Sequence, residues 1–384
     1  MSVLSEQVDA RPPQPPSARR GKRLLRAIAA GTLLAAGIGA STQPVAQQAP
    51  ESHARRVKVL IISMFAPEAQ PWIDQLGLTQ AVPGLSIDYP NVHCNASDVC
   101  QLTTGMGKAN AASSVSALIY SGQFDLSRTY FLVAGIAGID PSQGTVGSAA
   151  WARYAVDYGL SHEIDAREMP AAWPYGYFGI GTKGPGEKPP MDYRTEVFQL
   201  NETLLQKAYT LSKPVTLEDS PEAIAFRKHY TYAPANQPPA VIQCDVASAD
   251  TWWAGRNLGQ RARDWAKTMT DGKGTYCTTA QEDNATLEVL TRGARAGKVD
   301  FSRIALLRAG SDFDRPYDGQ SASDGLVNYA QQGGFVPATH NLVNAAKPLL
   351  DDIVQRWPQW AQGCQRINYC LHHISQYIMR TILI

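Results

Sequence analysis

The sequence predicts an α/β fold, a three-layer αβα arrangement around a mostly parallel central sheet with loop insertions. Three observations carry this reading. Val57–Met64 (VKVLIISM), Thr129–Ala134 (TYFLVA) and Arg303–Arg308 (RIALLR) are short apolar runs of the kind that strands covered on both faces require. Around them, residues 67–76, 111–120, 285–294 and 341–357 carry helix-forming composition, the last with a clear amphipathic pattern. The chain has 384 residues, 44% hydrophobic and 18% charged, which suits a large core and excludes disorder, fibrous repeats and small stapled scaffolds.

The first fifty residues stand apart from this pattern. A proline-rich and then basic stretch at 11–23 (RPPQPPSARRGKR) precedes Ala27–Ala40, an uncharged run of small and apolar residues ending in Gly39-Ala40. It resembles a signal peptide, with a charged n-region, a short h-region and a small-residue exit, and it is shorter than the about 20 residues a membrane helix needs. Residues 1–50 are therefore expected to be a signal peptide and linker, and the mature chain to be exported, periplasmic or secreted. An uncleaved anchor is the alternative. Later apolar stretches are interrupted by charges or prolines, so no stable membrane insertion of the mature chain is expected.

Residues 57–360 read as one domain. Its first strand feeds a helix that starts at Pro67, with proline in the first turn and Glu68 placed to favour the helix dipole. Ala166–Arg194, rich in Pro, Gly and Tyr, predicts a long surface loop, with a lid as its candidate role. Residues 361–384 read as a C-terminal extension. Six cysteines allow 15 connectivities. Cys94 and Cys100, enclosing NASDV, suit a local staple, with buried free thiols as the alternative. Cys364, Cys370, His372 and His373 lack the tight spacing of a structural zinc site, and no metal is expected. Thirty-five basic against 34 acidic side chains give a net charge of +1, which leaves no broad basic field for nucleic acid.

Ligands in open α/β sheets sit beyond the carboxyl ends of the strands. Three segments occupy such places. Thr103-Thr104-Gly105-Met106-Gly107-Lys108 is a glycine turn entering a helix, able to offer backbone N–H groups to an oxyanion or a sugar hydroxyl. Ala134-Gly135-Ile136-Ala137-Gly138 reads as a strand exit whose glycines let backbone approach a flat ligand, or simply make a tight turn. Arg308-Ala309-Gly310-Ser311-Asp312 is a polar cluster after an apolar strand. Asp312 there could exchange a proton with a ligand atom, or either Ser311 or Asp312 could cap a helix.

In this order the pieces resemble the nucleoside phosphorylase and nucleosidase superfamily, and within it the purine nucleoside permease branch, over residues 57–357. TTGMGKANAA resembles the phosphate or ribose loop, AGIAGIDPSQGTVG the glycine-rich exit beside the base pocket, and SHEID (Ser161–Asp165) the strand that follows. SADTWWAGR (Ser248–Arg256) sits where nucleosidases carry a Gly-Asp-x-Phe segment. YCTTAQEDNAT and LLRAGSDFDRP resemble the Met-Glu segment that holds ribose hydroxyls and the Ser-Asp segment that contacts purine N7. The WWAGR and QEDNAT forms point to the permease branch.

The resemblance implies a sheet of the nucleoside phosphorylase type and assigns roles. Glu282, with Gln281 beside it where the family has Met, would accept the ribose 2′ and 3′ hydroxyls. Trp252 would stack on the base. Asp312 would protonate or hydrogen-bond N7, and Glu68 would activate water. Thr104, Gly105 and Gly107 of the glycine turn, Ala137 and Gly138, and Arg308 and Ser311 complete the implied substrate-binding set. A phosphorylase would need arginines near the glycine turn, where only Lys108 stands close in sequence, so hydrolysis is favoured over phosphorolysis. No cofactor is implied, with phosphate as the candidate co-substrate. Purine nucleosides are the implied partners, and a homo-oligomer and a separate membrane carrier are further candidates. The competing function is a non-catalytic, soluble nucleoside-binding component of uptake. An extracellular structural protein would leave the ordered motifs without purpose.

Overall fold

The computed structural model describes residues 54–84 and 86–363. The expected signal peptide and linker, the cysteines and histidines at 364–373 and the C-terminal extension after residue 363 lie outside the described residues.

A large mixed sheet organises the domain. Strand Val59–Ser63 lies between Val99–Thr103 and Tyr130–Ile139, parallel to both. Tyr130–Ile139 also runs parallel to Ile304–Phe313 along its length. At its far end Gly138 and Ile139 pair antiparallel with Thr279 and Thr278 of strand Tyr276–Ala280. That strand leads through parallel Asp245–Ser248 to Tyr154–Asp157. Ile304–Phe313 pairs antiparallel with Ala149–Trp151. Only Ala152 and Arg153 separate Ala149–Trp151 from Tyr154–Asp157, so the pairings lead back to one stretch of chain and the sheet closes on itself.

Alternate side chains of the central strands point to opposite faces, and both faces are covered by helices, hence the unbroken apolar runs. Val59, Ile61, Leu132 and Leu307 pack with side chains of helices Ala66–Gln75, Glu202–Ser212 and Phe335–Gln355. Leu60, Ile62, Phe131, Val133 and Leu306 pack with those of Lys108–Tyr120 and Asp283–Arg295. Each large aliphatic side chain so buried contributes about 1.5–3 kcal/mol. This is the expected three-layer arrangement.

Two expectations are corrected. The glycine-containing segments after the apolar runs are strand interior: Tyr130–Ile139 runs through Gly135 and Gly138, and Ile304–Phe313 through Gly310, Ser311 and Asp312. The strands continue because glycine leaves room for what crosses them. A Cβ on Gly135 would collide with the Arg308 guanidinium and lie 2.9 Å from Glu68 Oε1, and one on Gly310 would lie 2.8 Å from Ile139. Ser311 and Asp312 therefore cap no helix.

The second correction concerns the lid. SHEID opens a short hairpin, Ser161–Glu163 paired with Tyr177–Gly179, outside the main sheet. The Arg261 guanidinium lies between the Tyr158 and Tyr177 rings, 3.7 and 3.9 Å from their centroids, and holds this hairpin against helix Arg256–Met269. Residues 166–194 contribute nothing to the lining of the large cavity described below.

Cys94 and Cys100 face each other across an antiparallel pair and are bonded, as the local staple requires. A second disulfide, Cys244–Cys277, was not legible from spacing. Among the described residues no helix is long and apolar enough to cross a membrane.

Candidate functional site

A cavity of about 300 Å³ opens at the carboxyl ends of these strands. That is large enough for a small organic ligand. It is lined by Glu68, Ala137, Gly138, Trp252, Gln281, Glu282, Arg308, Ser311 and Asp312, all named from sequence. Residues separated by more than two hundred positions thus converge on one place.

Glu68 stands in the first turn of helix Ala66–Gln75 and is buried. Its Oε2 accepts the Met64 backbone N–H and its Oε1 that of Ile136, each at 2.7 Å. Burial raises its pKa to about 7, against the lowering influence of the Arg308 charge and the two N–H groups. Asp312, also buried, is pushed up to about 6 by loss of water, with hydrogen bonds from Ser311 and the Trp252 indole acting the other way. The Ser311 hydroxyl lies 2.7 Å from Asp312 Oδ1 and 3.2 Å from the Ala137 carbonyl. The cavity therefore holds two carboxyl groups that change protonation near neutral pH, the property proton transfer requires.

Glu282 precedes helix Asp283–Arg295. Its Oε1 accepts the Gly107 N–H at 2.9 Å and its Oε2 lies 3.4 Å from Arg308 Nη2. Burial raises its pKa, opposed chiefly by Arg308. Each carboxylate oxygen keeps a lone pair for a further donor. Arg308 is almost fully buried, and its guanidinium is directed at Asp283, with Nη2 2.5 Å from Oδ1, and at the Ile136 carbonyl at 3.1 Å. Its donors are spent on the protein, so it orients the carboxylates around it.

Trp252 stands at the mouth, 47% exposed, its ring 4.6 Å from that of Tyr329. The neighbouring Trp253 is the core aromatic, stacked on Tyr158 at 5.2 Å. Gln281 donates to the Asp250 carbonyl at 2.6 Å. Thr104, Gly105 and Gly107 do not line the cavity. The Thr104 side chain is buried, with its hydroxyl 2.8 Å from the Gly105 carbonyl, and Gly105 and Gly107 take φ of 85° and 87°, which makes glycine the fitting residue for the turn. Met106 between them is what reaches the cavity.

Several lining residues escaped the sequence reading: Met64, Phe65, Thr279, Tyr329 and Phe335. No pattern in the sequence marks them. Asp283, which holds Arg308, sits beside Glu282 in QEDNAT, and the position of Arg308 at the end of the apolar run RIALLR, where a charge calls for a carboxylate partner, was the signal that could have found it. Asn284-Ala285-Thr286 of the same segment has the Asn-x-Thr pattern of a glycosylation acceptor, but Asn284 is buried and donates to the Thr195 carbonyl, so it is not a glycosylation site.

A family model described as "Purine nucleoside permease (NUP)" matches residues 56–365. The chain belongs to the purine nucleoside permease family. It is 42% identical over 318 residues to the Schizosaccharomyces pombe protein named "Probable purine nucleoside permease", covering 79% of this chain and 90% of that protein. It is 43% identical over 307 residues to the Candida albicans protein named "Purine nucleoside permease", covering 78% and 75%. Among solved structures, an MTA/SAH nucleosidase of Streptococcus pneumoniae in complex with 8-aminoadenine matches with TM-score 0.47 and 15% identity over 77% of this chain and 99% of that one. A futalosine hydrolase of Helicobacter pylori matches with TM-score 0.47 and 13% identity over 77% and 98%.

Proposed function

We propose that this purine nucleoside permease family member binds purine nucleosides in the cavity and hydrolyses their N-glycosidic bond. The observation that supports it is the pair of buried carboxyl groups, Glu68 and Asp312, titrating near neutrality in a cavity that also presents Glu282 and Trp252. The purine stacks at Trp252 with N7 toward Asp312, and the ribose hydroxyls meet Glu282. As the bond from C1′ to N9 breaks, its electron pair passes to the purine and Asp312 delivers its proton to N7. The ribosyl cation-like centre is attacked by a water whose proton passes to Glu68, giving free purine and ribose. Leaving-group protonation and water activation are the two requirements of such a transition state.

The permease names of the relatives favour a second reading, in which the chain captures nucleosides for a separate membrane carrier without chemistry. Both readings place the mature chain outside the cytoplasm, and the disulfides Cys94–Cys100 and Cys244–Cys277 suit an oxidising compartment. The deciding experiment is incubation of the purified chain with adenosine, guanosine or inosine, followed by chromatography for free base. Base release lost in Asp312→Asn is the expected result. Nucleoside binding measured by calorimetry without base release selects the capture reading instead.

A further inference from the structure

The start of helix Lys108–Tyr120, behind the glycine turn, is where an oxyanion would ordinarily be held, because the first N–H groups of a helix lack partners and carry its positive dipole end. In this chain two carboxylates from distant segments already sit there. The Gly107 N–H donates to Glu282 Oε1 at 2.9 Å, and the Lys108 N–H to Asp250 Oδ1 at 2.7 Å. The Lys108 ammonium, the cation nearest in sequence, lies 2.5 Å from Asp157 Oδ2. Arg308 is, among the described residues lining the cavity, the one cation, and it is paired with Asp283 and Glu282. A phosphate entering this site would meet carboxylates in place of donors.

We propose that Asp250 and Glu282 close the anion site at the start of this helix from within the chain, so that water and not phosphate attacks C1′, and that Asp250 sets this choice of nucleophile. The choice of water rests on the proposed base release; the closure itself does not. Glu282 is buried and committed to the cavity, whereas Asp250 is exposed and touches the turn through Oδ1 alone, so it is the part of the closure that can be removed without dismantling the site. Its carboxylate excludes phosphate by charge and by occupying the donor. In the phosphate-using alternative, a phosphate oxygen would bond to C1′, the purine would leave with the N9 electron pair, and ribose 1-phosphate would replace ribose.

The test has two arms, on the wild-type chain and on Asp250→Ser and Asp250→Asn. Asp250→Ser opens the Lys108 N–H, and Asp250→Asn keeps an acceptor for it and so preserves the turn. Inorganic phosphate binding is measured by calorimetry without nucleoside. The sugar released from inosine in phosphate buffer is then identified. The expected result is phosphate binding about tenfold or more tighter in Asp250→Ser than in wild type, with Asp250→Asn between them. Ribose is expected as the wild-type sugar, and ribose 1-phosphate as part of the Asp250→Ser product. Equal phosphate affinity in wild type and Asp250→Ser, or ribose 1-phosphate from the wild-type chain, overturns the proposal. If the phosphate affinities follow expectation while no protein releases base, the hydrolase reading fails and the closed anion site stands as a feature of a capture protein.

Discussion

Asp312 and Glu68 set the behaviour of the site at the scale of single residues. Catalysis of the proposed kind uses Asp312 with its proton and Glu68 without, and burial holds them at about 6 and about 7. Base release measured as kcat/KM against pH should therefore peak between these values. It should fall on the acid side as Glu68 gains a proton and on the alkaline side as Asp312 loses one. Asp312→Asn should lower the rate by about 10²–10⁴-fold and abolish the alkaline limb of what remains. The same raised pKa affects stability. A buried carboxyl that favours its proton contributes stability in full below pH 3.8, and that contribution is lost as the pH rises through about 6. Asp312→Asn should thus raise the melting temperature relative to wild type at pH 8 and not at pH 4, by an effect on the order of 3 kcal/mol. An equal shift at both pH values would contradict the burial of this carboxyl. Asp312, Glu282 and Trp252 were legible because each stands in a distinctive short segment. Phe65, Tyr329 and Phe335 were not, since an aromatic lining a cavity and one filling a core look alike in sequence.

At the scale of elements, the strands outlast their apolar runs because glycine admits polar side chains between them. Gly135 lets the Arg308 guanidinium and the Glu68 carboxylate pass beside strand Tyr130–Ile139, and Ile136 then donates to Glu68. Gly135→Ala should displace both groups, costing about 1–3 kcal/mol in thermal unfolding and reducing base release together. Gly122→Ala supplies the contrast: its added Cβ meets nothing within 4 Å, although its φ of 73° brings a backbone cost. It should lower stability while leaving the cavity and its KM for nucleoside unchanged. For strands Tyr130–Ile139 and Ile304–Phe313 the sequence showed where they begin but placed their ends too early. Hydrophobicity marks contact with the helices above and below, whereas the last residues of each strand face the cavity, where that pattern is replaced by glycine and charge.

At the scale of the whole molecule, the cavity depends on the sheet returning to itself through Ala149–Asp157 and on Cys244–Cys277, which ties the approach to strand Asp245–Ser248 to strand Tyr276–Ala280. These are the strands that carry the Trp252 loop and Glu282. The bridge spans 33 positions, and removing it by Cys244→Ala with Cys277→Ala should destabilise the chain by about 3 kcal/mol in denaturant unfolding. The Cys94–Cys100 bridge closes only six positions at the other side of the sheet, so its removal should cost less and leave nucleoside binding intact.

By itself the sequence determined the layered α/β class, three of the core strands and four of the helices that cover them, and the chemical types gathered for the site, because local periodicity and short motifs are properties of neighbouring residues. The tertiary structure alone decided which motif residues share the cavity, that Thr104 and the turn glycines stand behind it, and that the Ala166–Arg194 segment lies elsewhere. It also decided how the carboxyl groups titrate and that Asp250 and Glu282 fill the helix start, since burial and charge pairing arise only when segments more than a hundred positions apart are brought together.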